Sequence, residues 1–428
     1  METKGKKNFG CWIWMLLITV ACMLAGLPAQ AADEIILTDR TIPSNATWDV
    51  NWSVDNYATV TNEGTINNHS IFNNTSSATL IGPGTFNNYS GAVFSNSGTF
   101  YGDGMNNYGI VNNSGDYRND WSNIRNPGTF NNSGTIRNIY GLLDNTGTIN
   151  NSGVFDNFGN VHKNSGTINN AGMLYIGNGG LNNYGAINNK YSGELIIGDA
   201  VLHNYSTSTL INYGTLFIDW GILYNDPGIL DNYGIINNAG YDSTIINPGV
   251  INNYGTFISG GTVEADTFIN NGTCTGEGTV SVRAFSNAGT LAPGNSPGML
   301  TIDGNYIQTT GSVLAIELAS ATSYDILNVT GDVSLAGILK IILYNDHEPA
   351  YGTYFDFLTA ELINRKFDSI TGASGYNWSV AYLDLIGLDG KIDTARLTAN
   401  EVPIPPALWL FVSGILGIIG LRNKQRIK

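Results

Sequence analysis

Short segments in which an aliphatic residue alternates with polar residues recur from about Thr65 to Asn271. Each reads Gly-Thr-aliphatic-Asn-Asn, as in Gly147–Asn151 and Gly166–Asn170, and successive glycines lie six or seven residues apart. So much glycine and asparagine disfavours a helix. A short β-strand with one inward aliphatic side chain, followed by a glycine turn, fits the period. The pattern therefore predicts many short strands.

These strands must stack, because a single one buries too little apolar surface to be stable alone. The stacked form is a parallel β-solenoid, in which successive coils hydrogen-bond at a spacing of about 4.8 Å. Three repeats, about 19 residues, would complete a coil, so that the region would form about 13 coils. We expect glycines with positive φ at the corners and ladders of asparagine amides along the stack. Right-handed winding is expected, and the hexapeptide-like spacing leaves a left-handed form open.

The repeat gives way near residue 289 to longer alternating segments. Asparagine becomes scarce there, and the turn-dense stretch Gly289–Gly298 separates the two regions. We therefore predict an all-β chain with solenoid repeats over 32–288 and a β-rich capping region over 289–398. The strands predicted in the second region are Met299–Asp303, Val313–Leu318, Ile326–Val329, Ile338–Tyr344, Tyr354–Thr359 and Trp378–Leu383.

Residues 1–31 have the pattern of a secretory signal peptide. Three lysines precede an apolar run, and the small residues Ala29 and Ala31 lie just before the expected cleavage site at Ala32. We expect processing by signal peptidase and passage through the export machinery. An uncleaved transmembrane anchor is the alternative.

Cleavage would leave Cys274 as the only cysteine of the mature chain. One thiol excludes an internal disulfide and a metal site with two cysteine ligands. Because Cys274 lies inside a repeat, we expect it to be a small packed side chain.

The C-terminal segment 399–428 combines a proline motif, an apolar stretch and a basic tail. The motif occupies 402–406, the predicted transmembrane helix 407–421 and the tail 422–428. Fifteen residues of helix span about 22 Å, short of the ~30 Å hydrocarbon core, which favours transient retention over permanent anchoring. The residues that define this segment are Val402, Pro403, Ile404, Pro405, Pro406, the interfacial Trp409, Arg422, Lys424, Arg426 and Lys428.

This order of proline motif, helix and basic cluster resembles the PEP-CTERM sorting signal, over residues 402–428 only. Ile404 stands where the namesake motif has glutamate, as in the Val-Pro-aliphatic-Pro version of that family. The resemblance implies a Gram-negative-type envelope, a transient inner-membrane intermediate, and processing by an exosortase near Pro403–Pro406. A plain tail anchor is the alternative.

Residues 289–371 resemble the end of autotransporter passengers. The likeness rests on Gly289–Gly298, Leu300–Tyr306 and Tyr324–Gly331. It implies a region that finishes and caps a β-helix. A cap is also what the unpaired strand edges at an open solenoid end require.

Paired carboxylates are the only candidate catalytic groups, because β-helices that cleave polysaccharides place two of them ~5–9 Å apart. Asp144 with Asp156 is one candidate pair, and Asp219, Asp226 and Asp231 form a second cluster in the sequence. The four histidines are scattered, and phosphate or dinucleotide fingerprints are absent from the sequence. We expect no cofactor, no metal and no enzymatic activity; a β-helix polysaccharide lyase or glycosidase is the alternative.

Tyrosines beside turn glycines are the better candidates for binding. Tyr108, Tyr184, Tyr213, Tyr233 and Tyr254 recur in Asn-Tyr contexts. If the coils are in register, such rings stack into a strip suited to sugar rings. The alternative is that the rings stack only to stiffen the solenoid.

The net charge of −15 excludes nucleic acid as a partner, because little is available to neutralise phosphates. The sequence thus predicts a non-enzymatic structural or adhesive protein that is exported, processed by an exosortase at its C-terminal sorting signal, and left on the cell surface or in a biofilm matrix. Exopolysaccharide is the candidate partner.

Overall fold

The computed structural model shows an all-β parallel β-solenoid of about 14 turns, which confirms the predicted fold class. The structure describes residues 34–403, apart from 227, 241 and the side chain at 103, and residues 411–416. The chain divides into two compact units, Met1–Val154 and Phe155–Lys428. Each unit is described by itself.

The first unit is built from strands of three to ten residues. In chain order they are β1 (Glu34–Ile36), β2 (Arg40–Ile42), β3 (Thr47–Val50), β4 (Val54–Asn56), β5 (Thr59–Asn62), β6 (Thr65–Asn68), β7 (Ile71–Asn74), β8 (Thr79–Asn88), β9 (Val93–Asn96), β10 (Thr99–Asn107), β11 (Ile110–Asn113), β12 (Asp116–Asp120), β13 (Ile124–Asn126), β14 (Thr129–Asn132), β15 (Thr135–Ile139), β16 (Leu143–Asn145) and β17 (Thr148–Asn151).

The second unit continues the series, and its first strand begins at the last residue of the first unit. In chain order the strands are β18 (Val154–Phe158), β19 (Val161–Asn164), β20 (Thr167–Asn170), β21 (Met173–Gly177), β22 (Gly180–Asn183), β23 (Ala186–Asn189), β24 (Glu194–Gly198), β25 (Val201–Asn204), β26 (Thr209–Asn212), β27 (Thr215–Asp219), β28 (Ile222–Asn225), β29 (Ile229–Asn232), β30 (Ile235–Asn238), β31 (Thr244–Asn253), β32 (Thr256–Ser259), β33 (Thr262–Asn270), β34 (Thr273–Gly276), β35 (Thr279–Asn287), β36 (Thr290–Pro293), β37 (Met299–Gln308), β38 (Val313–Leu318), β39 (Ile326–Val329), β40 (Asp332–Leu335), β41 (Ile338–Leu343), β42 (Tyr354–Thr359), β43 (Leu362–Arg365), β44 (Ser369–Thr371), β45 (Tyr376–Leu383) and β46 (Thr394–Glu401).

Three parallel ladders run through each unit, because a strand pairs with the strand one coil later. In the first unit Thr129 of β14 is in register with Thr148 of β17, 19 residues further on. Among the repeat strands of the second unit the offset ranges from 17 residues, between Thr262 and Thr279, to 23, between Ala186 and Thr209, and past residue 289 it grows to 31, between Leu327 and Leu358. The predicted coil of three strands and about 19 residues is confirmed.

Side chains alternate inward and outward along each strand, as the repeat predicts. In Thr-Ile-Asn-Asn of β17, Ile149 and Asn151 are buried while Thr148 and Asn150 are partly exposed. The inward apolar residues form columns with aromatic contacts between coils. In the first unit Phe86 and Phe94 have ring centroids 4.6 Å apart, and in the second Phe268 and Phe285 are 4.7 Å apart.

Asparagine, at the last position of most strands, forms hydrogen-bonded ladders inside the solenoid. Most of these buried Nδ2 groups donate to the Oδ1 one coil later, and typical ladder distances are 2.8–2.9 Å. In the first unit one such ladder contains Asn56, Asn74, Asn96, Asn113, Asn132 and Asn151. In the second unit the longest contains Asn170, Asn189, Asn212, Asn232, Asn253, Asn270 and Asn287, and ends on Gln308. The predicted amide ladders are therefore present, and they are buried.

A second set of amide ladders runs along the outside in the opposite direction. Here the later coil donates to the earlier one, as from Asn106 to Asn87 and from Asn87 to Asn67. The first member of this ladder is Asp49, which accepts from Asn67 at 2.7 Å. A carboxylate suits that position because the first member only accepts.

The expectation that the repeat glycines adopt positive φ at the corners is wrong for most of them. Gly115, Gly134 and Gly153 do not have a positive φ, although Gly159 has a φ of 104°. Instead, a Cβ on Gly134 would lie 2.2 Å from the carbonyl oxygen of Gly115, and one on Gly153 would lie 2.1 Å from that of Gly134. Glycine is required because adjacent coils approach too closely for a side chain.

The parallel coils of the second unit continue past residue 289 without a change in pairing. β35 pairs with β37, and parallel pairing extends to β44. The strands predicted in this region are confirmed, to within a few residues at their ends. Near the end of the described strands the pairing becomes antiparallel, where β46 lies between β42 and β45. This hairpin covers the edge of β42, as a cap should.

Candidate functional site

The predicted targeting residues lie mostly outside the described residues. Val402 and Pro403 are described and exposed, and residues 411–416 are helical. Within the described part of the chain, no helix is long and apolar enough to cross a membrane. The predicted positions outside the described residues are Ala29, Ala31, Ala32, Ile404, Pro405, Pro406, Trp409, Arg422, Lys424, Arg426 and Lys428.

Three of the five predicted tyrosines form one stack in the second unit. The ring centroids of Tyr213 and Tyr233 are 5.0 Å apart, as are those of Tyr233 and Tyr254. Their rings lie within 14° of parallel. The highly exposed Tyr191 extends the stack, 5.2 Å from Tyr213. The rings align because each tyrosine follows the last asparagine of its strand, in ladders that are in register.

Tyr184 belongs to a different corner of the second unit. It stacks on Tyr205 at 4.3 Å, and the ring of His203 lies 3.8 Å from that of Tyr205. The hydrogen bond between Tyr205 and Tyr184 raises the pKa of Tyr205. The ammonium of Lys163 is 5.7 Å from the centroid of the Tyr184 ring. The two stacks of the second unit follow different ladders, so they do not form one strip.

Tyr108 lies in the first unit, in a stack with Tyr89 and His69. The centroids of Tyr89 and Tyr108 are 6.4 Å apart, and those of His69 and Tyr89 are 4.3 Å apart. The predicted set of five thus falls into three groups, one in the first unit and two on different ladders of the second.

Stacking decides what these tyrosines offer to a ligand. Rings that face one another at about 5 Å cover each other's faces, and a sugar ring binds an aromatic residue through its face. Inside a stack, therefore, only ring edges and phenol oxygens remain accessible. A free face is left at an end of a stack, as at Tyr254, which is 47% exposed.

A different aromatic group occupies a corner of the first unit where the coil lengthens. Tyr101 pairs with Arg118 of the next coil, and Met105 pairs with Ile124. The corner between Tyr101 and Met105 has three residues, 102–104, whereas the corner of the next coil has five, 119–123. The longer corner projects Trp121, which is 75% exposed. Its ring stacks on Tyr140 of the next coil at 4.5 Å and 23°.

An ion pair borders this Trp121 corner. The Nε and a terminal nitrogen of Arg118 are 3.1 and 3.0 Å from the Asp120 carboxylate. The hydrogen bond to Asp120 raises the pKa of Arg118. The hydroxyl of Tyr101 donates to Asp120 at 2.9 Å, and the Arg118 guanidinium lies 5.3 Å from the Tyr101 ring centroid. Three successive coils thus contribute one aromatic and ionic cluster.

This cluster was not among the residues predicted from the sequence, because the predicted binding tyrosines are those in Asn-Tyr contexts. A usable signal was present in Asp116–Ser122, which interrupts the Gly-Thr-aliphatic pattern with two aromatic residues and an arginine. A local break in a regular repeat points to function more directly than the repeat does.

The candidate catalytic carboxylates lie on or beside several different strands. Asp219 ends β27, Asp226 follows β28 and Asp231 lies in β29, so the three belong to different ladders of one coil. Asp231 accepts a hydrogen bond from Asn252 in an outer ladder. Asp144 and Asp156 belong to different units. Among the described residues, no group of three or more His, Cys, Asp or Glu side chains is placed to hold a metal ion.

The remaining reactive side chains are packed in the second unit. Cys274 is buried, as expected for a small core residue, and burial raises the pKa of its thiol to about 12. Burial lowers the pKa of His162 to about 4. Both groups are therefore neutral at physiological pH.

No protein-family model matches the chain, and no curated protein matches it. Its function is therefore inferred from its own residues.

Proposed function

We propose that this chain is a non-enzymatic structural or adhesive protein that acts outside the cell, on the surface or in an exopolysaccharide matrix. The β-solenoid fold is consistent with such a role. The observation that carries the proposal is the continuous amide ladder in each unit, because it commits one buried side chain per coil to holding the coils together. A chain organised in this way is a stiff scaffold on which corner residues are displayed at regular intervals.

The amide ladders supply stability that suits an extracellular scaffold without disulfides. Asn132, for example, is fully satisfied: it accepts from Asn113 and donates to Asn151 and to the carbonyl of Val154. A buried hydrogen bond contributes about 1 kcal/mol net, and leaving one unmade costs more. The sum over many coils supports persistence outside the cell.

The route of export is part of the same proposal. The signal-peptide pattern of residues 1–31 and the sorting pattern of residues 402–428 support export, brief retention at the inner membrane and exosortase processing. After loss of both ends the chain would be more acidic, since seven of its 19 basic residues lie in those segments.

Mass spectrometry of both termini of the mature protein from its native cells tests this route. We expect an N-terminus at Ala32 and a C-terminus near Pro403–Pro406. Deletion of Val402–Lys428, or of the exosortase, should leave the protein in a different cell fraction. An intact tail with unchanged fractionation would overturn the proposed sorting.

The enzymatic alternative has its own test. The purified protein would be incubated with polyuronates and neutral glycans, and the release of oligosaccharides measured. We expect no release, because Asp219, Asp226 and Asp231 lie in three different ladders. If oligosaccharides were released, and if substitution of one of these aspartates abolished the release, the protein would be an enzyme and not only a scaffold.

A further inference from the structure

We propose that the Trp121 corner, formed by Tyr101, Arg118, Asp120, Trp121 and Tyr140, binds a neutral polysaccharide. The proposal rests on the proposed function in that it supplies the adhesive contact of an extracellular scaffold. The Trp121 corner is a different site from the tyrosine stacks. Its residues also indicate the chemistry of the ligand, which the tyrosine stacks do not.

Trp121 has an indole face that is accessible to a ligand. Trp121 stacks on Tyr140 on one side and has no other ring contact among the described residues. The coil on its other side has the shorter corner 102–104, which contains two glycines. With 75% of the residue exposed, one indole face is open to solvent. Such a face suits the C–H groups of a pyranose ring, and the indole N–H makes no hydrogen bond to a described residue.

The border of the corner adds polar groups. The Arg118 side chain is 46% exposed and offers N–H donors to sugar hydroxyl oxygens, whereas the Asp120 carboxylate is 13% exposed and holds Arg118 and Tyr101 in place. The two charges neutralise each other within 3.1 Å. A polyanion therefore gains little at this site, and the net charge of −15 repels it. The corner favours a neutral glycan over an acidic one.

The backbone of Trp121 adopts a conformation that is unfavourable for a bulky residue. Its φ is 69° and that of Tyr140 is 57°, in the left-handed region that bulky residues rarely adopt. Glycine would fill this position without strain, as Gly159 does elsewhere in the chain with a φ of 104°. Because Trp220 has a similar φ, this strain supports a binding role only together with the open indole face and the bordering Arg118–Asp120 ion pair.

The experiment compares Trp121→Gly with Trp220→Gly in the full-length protein. Trp220, in the second unit, has a φ of 60° and is 58% exposed, so it controls for strain relief and for loss of an exposed indole. Retention on cellulose, chitin and amylose would be measured, with polygalacturonate as the acidic probe. Circular dichroism and thermal unfolding would confirm that both variants fold.

We expect the protein to bind at least one of the neutral probes in preference to polygalacturonate. Trp121→Gly should weaken that binding at least tenfold, whereas Trp220→Gly should leave it within twofold. Tyr101→Phe should weaken it less, because only the hydroxyl held by Asp120 is lost. Failure to bind any neutral probe, or equal losses in the two tryptophan variants, would overturn the inference. Neither result depends on where the protein is sorted, so it leaves the proposed function to its own test.

Discussion

The side-chain Nδ2 of Asn113 donates a hydrogen bond of 2.8 Å to the Oδ1 of Asn132, one coil later in the chain. The residues just before them, Asn112 and Asn131, are joined in the reverse sense, because Asn131 donates back to Asn112 at 2.9 Å. The Asn-Asn pair of the repeat therefore contributes one buried and one outer ladder of opposite direction. The two asparagines have the same chemistry but different burial, which makes them separable by substitution.

Asn132→Asp should be strongly destabilising. The carboxylate would still accept from Asn113, but it could not donate to Asn151 or to the carbonyl of Val154, and it would be a buried charge. We expect a loss of about 3–5 kcal/mol. The matched control is Asn131→Asp, which loses one outer hydrogen bond and should cost less than about 1 kcal/mol. Urea unfolding of both variants checks the difference, and equal losses would contradict the buried ladder.

Gly234→Ala should distort the contact between coils of the second unit. An added Cβ would lie 2.1 Å from the carbonyl oxygen of Gly214, so the backbone must move, at a cost of about 3 kcal/mol. The control is Gly311→Ala, where nothing lies within 4 Å and φ is 83°; strain alone should cost about 1 kcal/mol there. Thermal unfolding would show which variant is destabilised more. A larger loss for Gly311→Ala would show that the repeat glycines are required by backbone conformation and not by the close approach of neighbouring coils.

Asp325→Asn should remove a pH dependence near pH 6. Burial raises the pKa of Asp325 to about 6, against hydrogen bonds from the backbone N–H groups of Glu317 and Gly298, and the charges of Glu317 and Glu277 raise it further. Because the folded pKa is raised, this group stabilises the fold fully below pH 3.8 and loses that effect as the pH rises through 6. The unfolding temperature of the wild type minus that of the variant should therefore fall between pH 4 and 7. A constant difference would contradict it.

Asp393→Asn should show the opposite dependence. Burial raises the pKa of Asp393, but the N–H groups of Leu385, Ile386 and Gly387 and the hydroxyl of Thr394 outweigh it and lower the pKa to about 2. The stabilisation is present above pH 3.8 and is lost as the pH falls through 2. Unfolding temperatures from pH 2 to 5 should show the wild type losing its advantage over the variant at the acid end. An advantage that persists at pH 2 would contradict this.

The parts of the fold that follow from local pattern were predictable from the sequence. Ile149 is buried and Thr148 is not because side chains alternate along a strand, and the 19-residue coil follows from three such strands. The stack of Tyr213, Tyr233 and Tyr254 also follows, since equal positions in successive coils must align. These predictions need only the period.

The parts that depend on contacts between coils were not predictable in the same way. Whether Gly134 is selected by φ or by the nearby carbonyl of Gly115 depends on how closely the coils approach. That Tyr184 and Tyr213 lie in different stacks depends on which ladder each follows. The Trp121 corner arises from a two-residue difference between neighbouring coils, which becomes visible only once their register is known.

The opposed directions of the inner and outer amide ladders also bear on the electric field of each unit. A side-chain amide has a dipole similar to the about 3.5 D of a peptide group. Peptide dipoles in a sheet largely cancel, so an inner ladder alone would accumulate partial charge at its two ends. The outer ladder, as between Asn131 and Asn112, points the other way and offsets part of that charge. The partial charge at each end of a unit is therefore smaller than a single row of aligned amides would produce. Charged groups of other molecules are attracted to these ends less strongly as a result.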